Sequence, residues 1–210
     1  MRSHTVALAL LLLMPFDSAR AAHVFRFFEN GILHHGKGEW AGKEFDLCPW
    51  QREVLGTIFG TVTENGRRQY QTVYVEVPKK NGKSELAAGV ALYMLLMDDE
   101  PGAEVYSAAS TQNQAGNVFR VAADMVQRSP LLGRFLKVLP STYRIIKRNE
   151  PLSFYAAISA DGGNHDGINP HCVIADELHR WKTAKSMDLW EIIERGTIAR
   201  RQPLIFAITT

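Results

Sequence analysis

Short apolar runs alternate with amphipathic segments along most of the chain. The β-branched run at 72–77 (TVYVEV) predicts a buried strand, and the Ala- and Leu-rich stretch at 83–97 predicts a helix that stops before two aspartates. Further strands are predicted at 103–108, 144–147, 152–158, 171–175 and 204–208, with helices at 111–127 and 186–199. Strands that alternate with helices predict an α/β fold, in which a mainly parallel sheet is flanked by helices.

Three stretches depart from this simple alternation. The aromatic, His- and Gly-rich stretch at 25–42 predicts a helix followed by a loop. The strands at 144–147 and 152–158 are expected to pair across a turn at 149–151 (NEP). The polar, Gly-rich stretch at 159–170 predicts a loop, and its part at 161–167 is either a mobile loop near a ligand or a simple connection.

The N-terminal segment carries a pattern of its own. An apolar run at 6–16 follows Arg2, and the triplet at 19–21 (ARA) resembles a signal-peptidase site. The run is too short for a good membrane span. A buried terminal helix and a start codon assigned too far upstream are the alternatives to a secretory signal. We therefore divide the chain into an apolar N-terminal segment, 1–22, which is signal-like or a mis-called start, and a main domain, 23–210.

Composition restricts the class of protein only loosely. The chain has 210 residues, of which 46% are apolar and 22% charged, as in an ordinary soluble globular domain. The formal charge of +2 is too small to argue for nucleic-acid binding by itself. Cys48 and Cys172 stand far apart and form neither a metal-binding pattern nor a disulfide framework, which fits a reducing compartment. Cys172 lies in an apolar run and is expected to be a buried thiol.

The segment at 77–84 (VPKKNGKS) lies between a predicted strand and a predicted helix, the context that a phosphate-binding loop requires. Lys83 would reach the β- and γ-phosphates of a nucleotide, and the Ser84 hydroxyl would ligate Mg²⁺. Backbone N–H groups of the loop would form an anion site, contributed by Lys79, Lys80, Asn81 and Gly82. Val77 replaces the usual first glycine, and the alternative is a Lys-rich surface turn that contains Gly-Lys-Ser by chance.

The apolar run at 173–175 ends in two carboxylates, Asp176 and Glu177. Strand-end carboxylates of a parallel sheet lie at its ligand-binding edge. Asp176 would hold Mg²⁺ directly or through water, and Glu177 would act as the general base that activates the attacking water. Taken alone, the pair could be an ordinary strand end with solvated acids. Together with the phosphate loop, it predicts a P-loop NTPase of the additional-strand, catalytic-glutamate type, which uses ATP and Mg²⁺.

These residues resemble a known family, the large subunits of phage terminases. The segment at 76–84 (EVPKKNGKS) is similar to their deviant phosphate loop, in which the first glycine is commonly missing. The segments at 167–170 (GINP) and 173–179 (VIADELH) resemble the second nucleotide motif of the family. The end of the last predicted strand, 207–210 (AITT), resembles the coupling motif, which would give Thr209 and Thr210 the task of linking the γ-phosphate state to DNA movement.

The resemblance extends from about residue 25 to residue 210 and implies further sites and partners. The segments at 40–45 and 47–51 are similar to the adenine-side segment, where Trp50 and Gln51 would contact the base, and 106–115 is similar to another strand-to-helix step. The implied function is ATP hydrolysis that powers translocation of double-stranded viral DNA into a procapsid. The implied partners are DNA, a portal protein, a small terminase subunit and further copies in a homo-oligomeric ring, in the host cytoplasm and without a membrane.

Two departures from the family keep other interpretations open. The apolar first residues are not expected of the family, and the chain stops at the coupling motif, before the nuclease domain, so no nuclease activity is expected of these residues. The alternatives are an inactive prophage remnant or partial gene product, another P-loop protein such as a helicase fragment or a small-molecule kinase, and a secreted binding module. Secretion is not expected despite the signal-like N-terminus, because ATP chemistry needs cytoplasmic ATP.

Several further residues have both a functional and a structural interpretation. An arginine near the γ-phosphate would stabilise transition-state charge, although each candidate is more often a solvated surface charge: Arg120, Arg195, Arg200 and Arg201. Histidines near the acidic pair, His165, His171 and His179, could suggest a metal site but lack a closed ligand set. Trp181 and Trp190 are expected in the core or in subunit contacts.

Overall fold

The structure is a computed structural model, which describes residues 14–163 and 165–210. Its helices are α1 (Ser18–Phe28), α2 (Pro49–Gly60), α3 (Lys83–Leu96), α4 (Gln112–Arg128), α5 (Pro130–Phe135) and α6 (Ala184–Thr197). Its strands are β1 (Thr72–Glu76), β2 (Glu104–Ala109), β3 (Leu136–Leu139), β4 (Arg144–Lys147), β5 (Glu150–Ser159), β6 (Pro170–Asp176) and β7 (Leu204–Thr209). Short 3-10 turns lie at Gly38–Trp40, Pro140–Thr142 and Leu178–Arg180.

The seven strands form one sheet in the order β1-β7-β6-β2-β5-β4-β3. The first five strands of that order pair in parallel, whereas β4 pairs antiparallel with both β5 and β3. The predicted α/β fold with a mainly parallel sheet is therefore confirmed. The pairing of β4 with β5 follows the prediction, although β5 begins at Glu150 and includes Pro151. Helix α2, the short helix α5 and the edge strand β3 were not predicted.

Two apolar cores lie on the two faces of the sheet. The larger core packs the buried sides of α1 to α4 against one face and includes Phe28, Leu55 and Phe206. The smaller core packs α6 and Trp181 against the other face. Every residue of β6 and β7 is buried, because these central strands are covered on both sides. Cys172 is fully buried on β6, and this burial raises the pKa of its thiol.

The described part of the N-terminal segment folds onto the domain. Helix α1 begins at Ser18 and so runs across the boundary predicted between residues 22 and 23. The Asp17 carboxylate caps it by accepting hydrogen bonds from the N–H groups of Ala19 (2.9 Å) and Arg20 (3.1 Å). The triplet that resembles a signal-peptidase site is thus helical, with Ala21 buried. Most of the apolar run at 6–16 lies outside the described residues. Across 14–163 and 165–210, no helix combines the length and apolar character needed to cross a membrane.

A cluster of buried polar side chains lies at the amino ends of β2 and β6. The Arg68 guanidinium, 3% exposed, donates two hydrogen bonds to the Asp98 carboxylate, at 3.2 and 2.7 Å. His171, fully buried at the start of β6, contacts the same carboxylate through Nε2 at 2.8 Å. Burial alone would raise the pKa of Asp98, but the ion pair with Arg68 and the hydrogen bond with His171 outweigh it and lower that pKa. This cluster joins the end of α3 to the central strands.

The packing of α3 against α1 depends on a glycine, which gives a stability prediction. A Cβ at Gly89 would lie 2.5 Å from Phe28 Cζ and 3.1 Å from Leu33 Cδ1, and both side chains are fully buried. Gly89→Ala is expected to destabilise the domain by about 1–3 kcal/mol, because overpacking outweighs the better helix propensity of alanine. Denaturant unfolding measures this. The matched control is Gly133→Ala in α5, where a Cβ would meet only a backbone oxygen at 4.0 Å. A stability of Gly89→Ala equal to or above that of Gly133→Ala would contradict the packing argument.

Candidate active site

Three strand ends meet at the carboxyl edge of the sheet. Strand β7 lies between β1 and β6 in parallel register, with Glu76 opposite Thr209 and Asp176 opposite Ile208. The backbone hydrogen bonds between these strands continue past the strand ends. The Val77 N–H donates to the Thr209 carbonyl at 3.1 Å, and the Glu177 N–H donates to the Ile208 carbonyl at 2.9 Å. The predicted phosphate loop, acidic pair and coupling segment are thus neighbours in space.

The loop between β1 and α3 turns through two residues with left-handed backbone, Lys80 (φ 69°) and Gly82 (φ 73°). The Asn81 side chain closes the turn by donating to the Pro78 carbonyl at 3.0 Å. Lys79, Lys80 and Asn81 are exposed, whereas Lys83 and Ser84 open helix α3 and are partly buried. The first N–H groups of α3 therefore face the same edge as the strand ends, and such groups bind anions.

Lys83 contacts both members of the acidic pair. Its Nζ pairs with Glu177 Oε1 and lies 3.7 Å from Asp176 Oδ1. Only 12% of the lysine side chain is exposed. The Lys83 ammonium group, which was predicted to reach the phosphates, is thus held by carboxylates. An incoming anion of higher charge would compete with these carboxylates for the lysine.

Asp176 is the more buried of the two acids. Burial is the main cause that raises the pKa of its carboxyl, the adjacent Glu177 adds to the effect, and the ion pair with Lys83 offsets only part of it. Its Oδ1 is buried and accepts no hydrogen bond from any described residue. A buried carboxylate oxygen without a donor fits a cation ligand. No group of three or more His, Cys, Asp or Glu side chains with metal-site geometry occurs among the described residues.

Glu177 follows β6 with a left-handed backbone (φ 53°), an unusual conformation for a residue with a side chain. Besides Lys83, its carboxylate accepts hydrogen bonds from the Thr209 hydroxyl at 3.2 Å and from the Thr210 N–H at 3.3 Å. The Thr210 hydroxyl lies 3.2 Å from Oε2 and 3.3 Å from Oε1. Burial acts to raise the pKa of Glu177, but the Lys83 ion pair and the Thr210 hydrogen bonds outweigh it and lower that pKa. The glutamate is therefore ionised at neutral pH.

The two residues predicted for the adenine side lie in the first turn of α2, which begins at Pro49. Gln51 is buried, and its Oε1 accepts a hydrogen bond from the Cys48 N–H at 3.1 Å. Its Nε2 points to the phosphate loop, since it lies 3.3 Å from the position of a Cβ built on Gly82. Trp50 is partly buried against the larger core. The structure therefore brings Gln51 to the loop and leaves its amide nitrogen, not its oxygen, directed there.

Two of the four candidate arginines lie at the opposite edge of the sheet. Arg200 is mostly buried and donates to the Asn169 carbonyl (2.7 and 2.9 Å) and the Gly102 carbonyl (2.9 Å). Its expected role as a solvated surface charge is wrong, because it binds the amino ends of β2 and β6. Arg201 is exposed and lines a cavity of about 540 Å³ beside Asp98. Apart from Arg201, none of the predicted site residues is among those that line this cavity.

The remaining candidates fall into separate places. Arg120 donates to Asn117 Oδ1 at 2.6 Å on the surface of α4, and Arg195 lies exposed on α6. The three histidines do not converge: His171 joins the buried cluster with Asp98, His165 Nε2 contacts the Ser159 carbonyl at 2.8 Å, and His179 contacts Thr209. Trp181 is a core residue, as expected, and its indole N–H donates to the Asp176 carbonyl at 3.2 Å.

The fold and this site together define a P-loop ATPase, with the phosphate-loop strand and the acidic strand on either side of a third strand. The family profile "Terminase large subunit, ATPase domain" matches residues 49–210. The chain belongs to this family.

Individual relatives agree with the family match. The chain is 26% identical over 193 residues to the terminase large subunit of Enterobacteria phage HK97, an alignment that covers 91% of this chain and 36% of that protein. The crystal structure of the HK97 large terminase superposes with a TM-score of 0.75 at 25% identity, covering 91% of this chain and 38% of the other. This chain thus spans little more than a third of that relative.

Two further structures share the fold. A mutant of the ATPase domain of the Thermus phage P74-26 large terminase superposes with a TM-score of 0.57 at 21% identity, covering 79% of this chain and 66% of that chain. The UvsW helicase of bacteriophage T4 superposes with a TM-score of 0.56 at 14% identity, covering 92% and 60%. At these identities the likeness concerns the fold alone.

Proposed function

We propose that this chain hydrolyses ATP with Mg²⁺ and that the hydrolysis powers translocation of double-stranded viral DNA into a procapsid. The observation that carries the proposal is the meeting of Lys83, Asp176, Glu177 and Thr209 beside the phosphate loop. A lysine, a buried carboxylate oxygen without a donor and an ionised glutamate are the groups needed to bind a nucleotide phosphate, a cation and an attacking water.

Binding would use the loop and the start of α3. The N–H groups of Lys79 to Gly82 and the α3 N-terminus would surround the phosphates, and Lys83 would turn to them from its carboxylate partners. Ser84 and Asp176 would hold Mg²⁺, which when bound neutralises charge on the phosphate oxygens. Gln51 and Trp50 would contact the adenine side, with the Gln51 amide nitrogen as the donor.

Catalysis would fall to Glu177. A carboxylate whose pKa lies below the usual glutamate range is ionised at neutral pH and can orient a water molecule and accept its proton. While Lys83 is paired with Oε1, that oxygen is engaged. The departure of Lys83 toward the phosphates would free the oxygen only when a nucleotide is present, which ties base activity to binding. Thr209 and Thr210, which contact the same carboxylate, would report hydrolysis to the rest of the motor.

The whole-protein activity is part of this proposal. The partners would be double-stranded DNA, a portal protein, a small terminase subunit and further copies in a ring, at the procapsid vertex in the host cytoplasm. The chain spans 36% of its HK97 relative, and we propose no nuclease chemistry for its 210 residues. An inactive prophage remnant remains the alternative, and the experiment below separates it from a working ATPase.

The test is phosphate release by the chain with Mg²⁺ and ATP, beside Lys83→Ala. We expect the substitution to lower turnover by about 100-fold or more, because it removes a charge that stabilises the transferring phosphoryl group. The matched control is Lys137→Ala, an exposed lysine on the edge strand β3, which should keep the normal rate. Stimulation by double-stranded DNA without strand separation would favour a translocase over a helicase. If the unchanged chain shows no turnover, a nucleotide-binding titration separates the alternatives: absence of binding would favour the remnant, and binding would favour a motor that needs its ring.

A further inference from the structure

We propose that His179 is a positioning residue that fixes the hydrogen-bond chain from its own ring through Thr209 to one oxygen of Glu177, and so leaves the other oxygen free to accept the proton of water. The proposal rests on the proposed role of Glu177 as general base. It concerns a histidine that lies two residues beyond the glutamate, in the short turn Leu178–Arg180.

The geometry is a closed triangle of polar atoms. His179 Nδ1 contacts Thr209 Oγ1 and lies 3.3 Å from Glu177 Oε2. Thr209 Oγ1 lies 3.2 Å from the same Oε2. Because β7 is the neighbour of β6, the turn after β6 brings the imidazole directly over the end of β7. The imidazole ring is otherwise partly open to solvent, since 41% of the His179 side chain is exposed.

The number of available hydrogens sets the direction of each hydrogen bond in this triangle. An ionised carboxylate only accepts, so the single hydroxyl hydrogen of Thr209 is donated to Glu177 Oε2. Thr209 Oγ1 can then only accept from His179, and Nδ1 must carry a hydrogen. The same Nδ1–H is shared with Oε2, which also has no hydrogen to give. These two acceptors, Thr209 Oγ1 and Glu177 Oε2, therefore fix His179 as the Nδ1–H tautomer.

The two oxygens of Glu177 then differ. Oε2 faces the Thr209 hydroxyl, the Thr210 N–H and the His179 ring. Oε1 faces Lys83, and the Thr210 hydroxyl lies between the two oxygens, 3.3 Å from Oε1 and 3.2 Å from Oε2. Once Lys83 moves to a nucleotide, Oε2 keeps its anchors and Oε1 loses its main partner. His179 thus helps to decide which oxygen is held and which acts as the base, without itself touching the nucleotide.

Kinetics test this with three substitutions at one position. We expect His179→Ala to lower kcat about tenfold while the affinity for ATP changes less than about twofold, because the carboxylate loses an anchor and not a ligand contact. His179→Asn, which can place an amide N–H near the position of Nδ1, should restore most of the rate. His179→Gln, whose amide reaches the position of Nε2, should resemble His179→Ala. Equal rates for the Ala and Asn variants, or a loss confined to ATP affinity, would overturn the proposal.

A spectroscopic measurement decides the tautomer even if the chain shows no turnover. Nitrogen-15 labelling of the seven histidines, with long-range correlation to the ring protons at about pH 8, distinguishes a protonated Nδ1 from a bare one. The His179 signal is the one missing from the His179→Asn spectrum. A proton on Nδ1 supports the proposal, and an Nε2–H tautomer with a bare Nδ1 overturns it. Absence of wild-type turnover would instead count against the proposed function, so the two failures are distinct.

Discussion

Glu177→Gln is expected to abolish ATP turnover while the protein still binds ATP. The amide has the shape of the carboxylate but cannot accept a proton from water, and loss of a general base costs about 10²–10⁴-fold in rate. Binding should not weaken, because Lys83 would no longer be held by a carboxylate and would be free to meet the phosphates. Single-turnover hydrolysis and a nucleotide-binding titration on the same sample measure the two halves of this expectation.

The matched control for this substitution is Glu191→Gln, the same chemical change at an exposed position of α6. It should turn over at the rate of the unchanged protein. If Glu177→Gln also hydrolyses ATP at that rate, the base lies elsewhere and the assignment of Glu177 is wrong. If it neither binds nor hydrolyses ATP, its main role is structural, through the contacts with Lys83 and Thr209.

Asp98→Ala is expected to be the most destabilising single change outside the site. It would leave the Arg68 guanidinium and the buried His171 ring without their shared carboxylate. Removing one partner of a buried ion pair costs about 3–5 kcal/mol, because the other charge stays out of water and unpaired. Denaturant unfolding at neutral pH measures the loss. The control is Asp124→Ala, which breaks the exposed pair with Arg128 at 2.7 Å and should cost less than about 1 kcal/mol.

The same carboxylate makes stability depend on pH with a definite sign. The pKa of Asp98 is lower in the folded protein than in the unfolded chain, so its contribution is present above the ordinary aspartate range, near pH 4. The contribution is lost as the pH falls through the lowered folded value. The unfolding free energy should therefore drop below about pH 4, and less steeply in Asp98→Ala. Equal acid sensitivity in the two proteins would show that other carboxylates dominate.

The elements that could be predicted from the sequence are those with local signals. Strand β1, the loop and α3 follow one another within 72–96, and the apolar run of β6 ends directly in its two acids. Hydrophobic periodicity and turn residues therefore predicted the parallel sheet and the carboxyl edge at which the phosphate loop and the acidic pair lie. Helix α2 was missed because its Pro49 start and mixed apolar face resemble a loop when read without the residues that bury it.

What could not be predicted depends on residues distant along the chain. The pairing of Lys83 with Glu177 joins residues 94 positions apart, and that of Arg200 with the Gly102 carbonyl joins residues 98 positions apart. Arginine is usually exposed, and only the fold shows three backbone carbonyls and a glutamate around this one. His179 could have been suspected from its closeness to the acidic pair, but its contact with Thr209 requires β7 to be the neighbour of β6.

The backbone hydrogen bonds that extend the ladder beyond the strand ends have a dynamic consequence. Val77 is tied to Thr209, and Glu177 to Ile208, so the phosphate loop and the acidic pair are anchored to the same central strand. Sliding one strand past another would break these bonds, which makes such motion slow. The response to a nucleotide therefore falls to rotation of side chains such as Lys83, while the backbone around them stays in place. Amide hydrogen exchange at Val77 and Glu177 should accordingly be as slow with the nucleotide as without it.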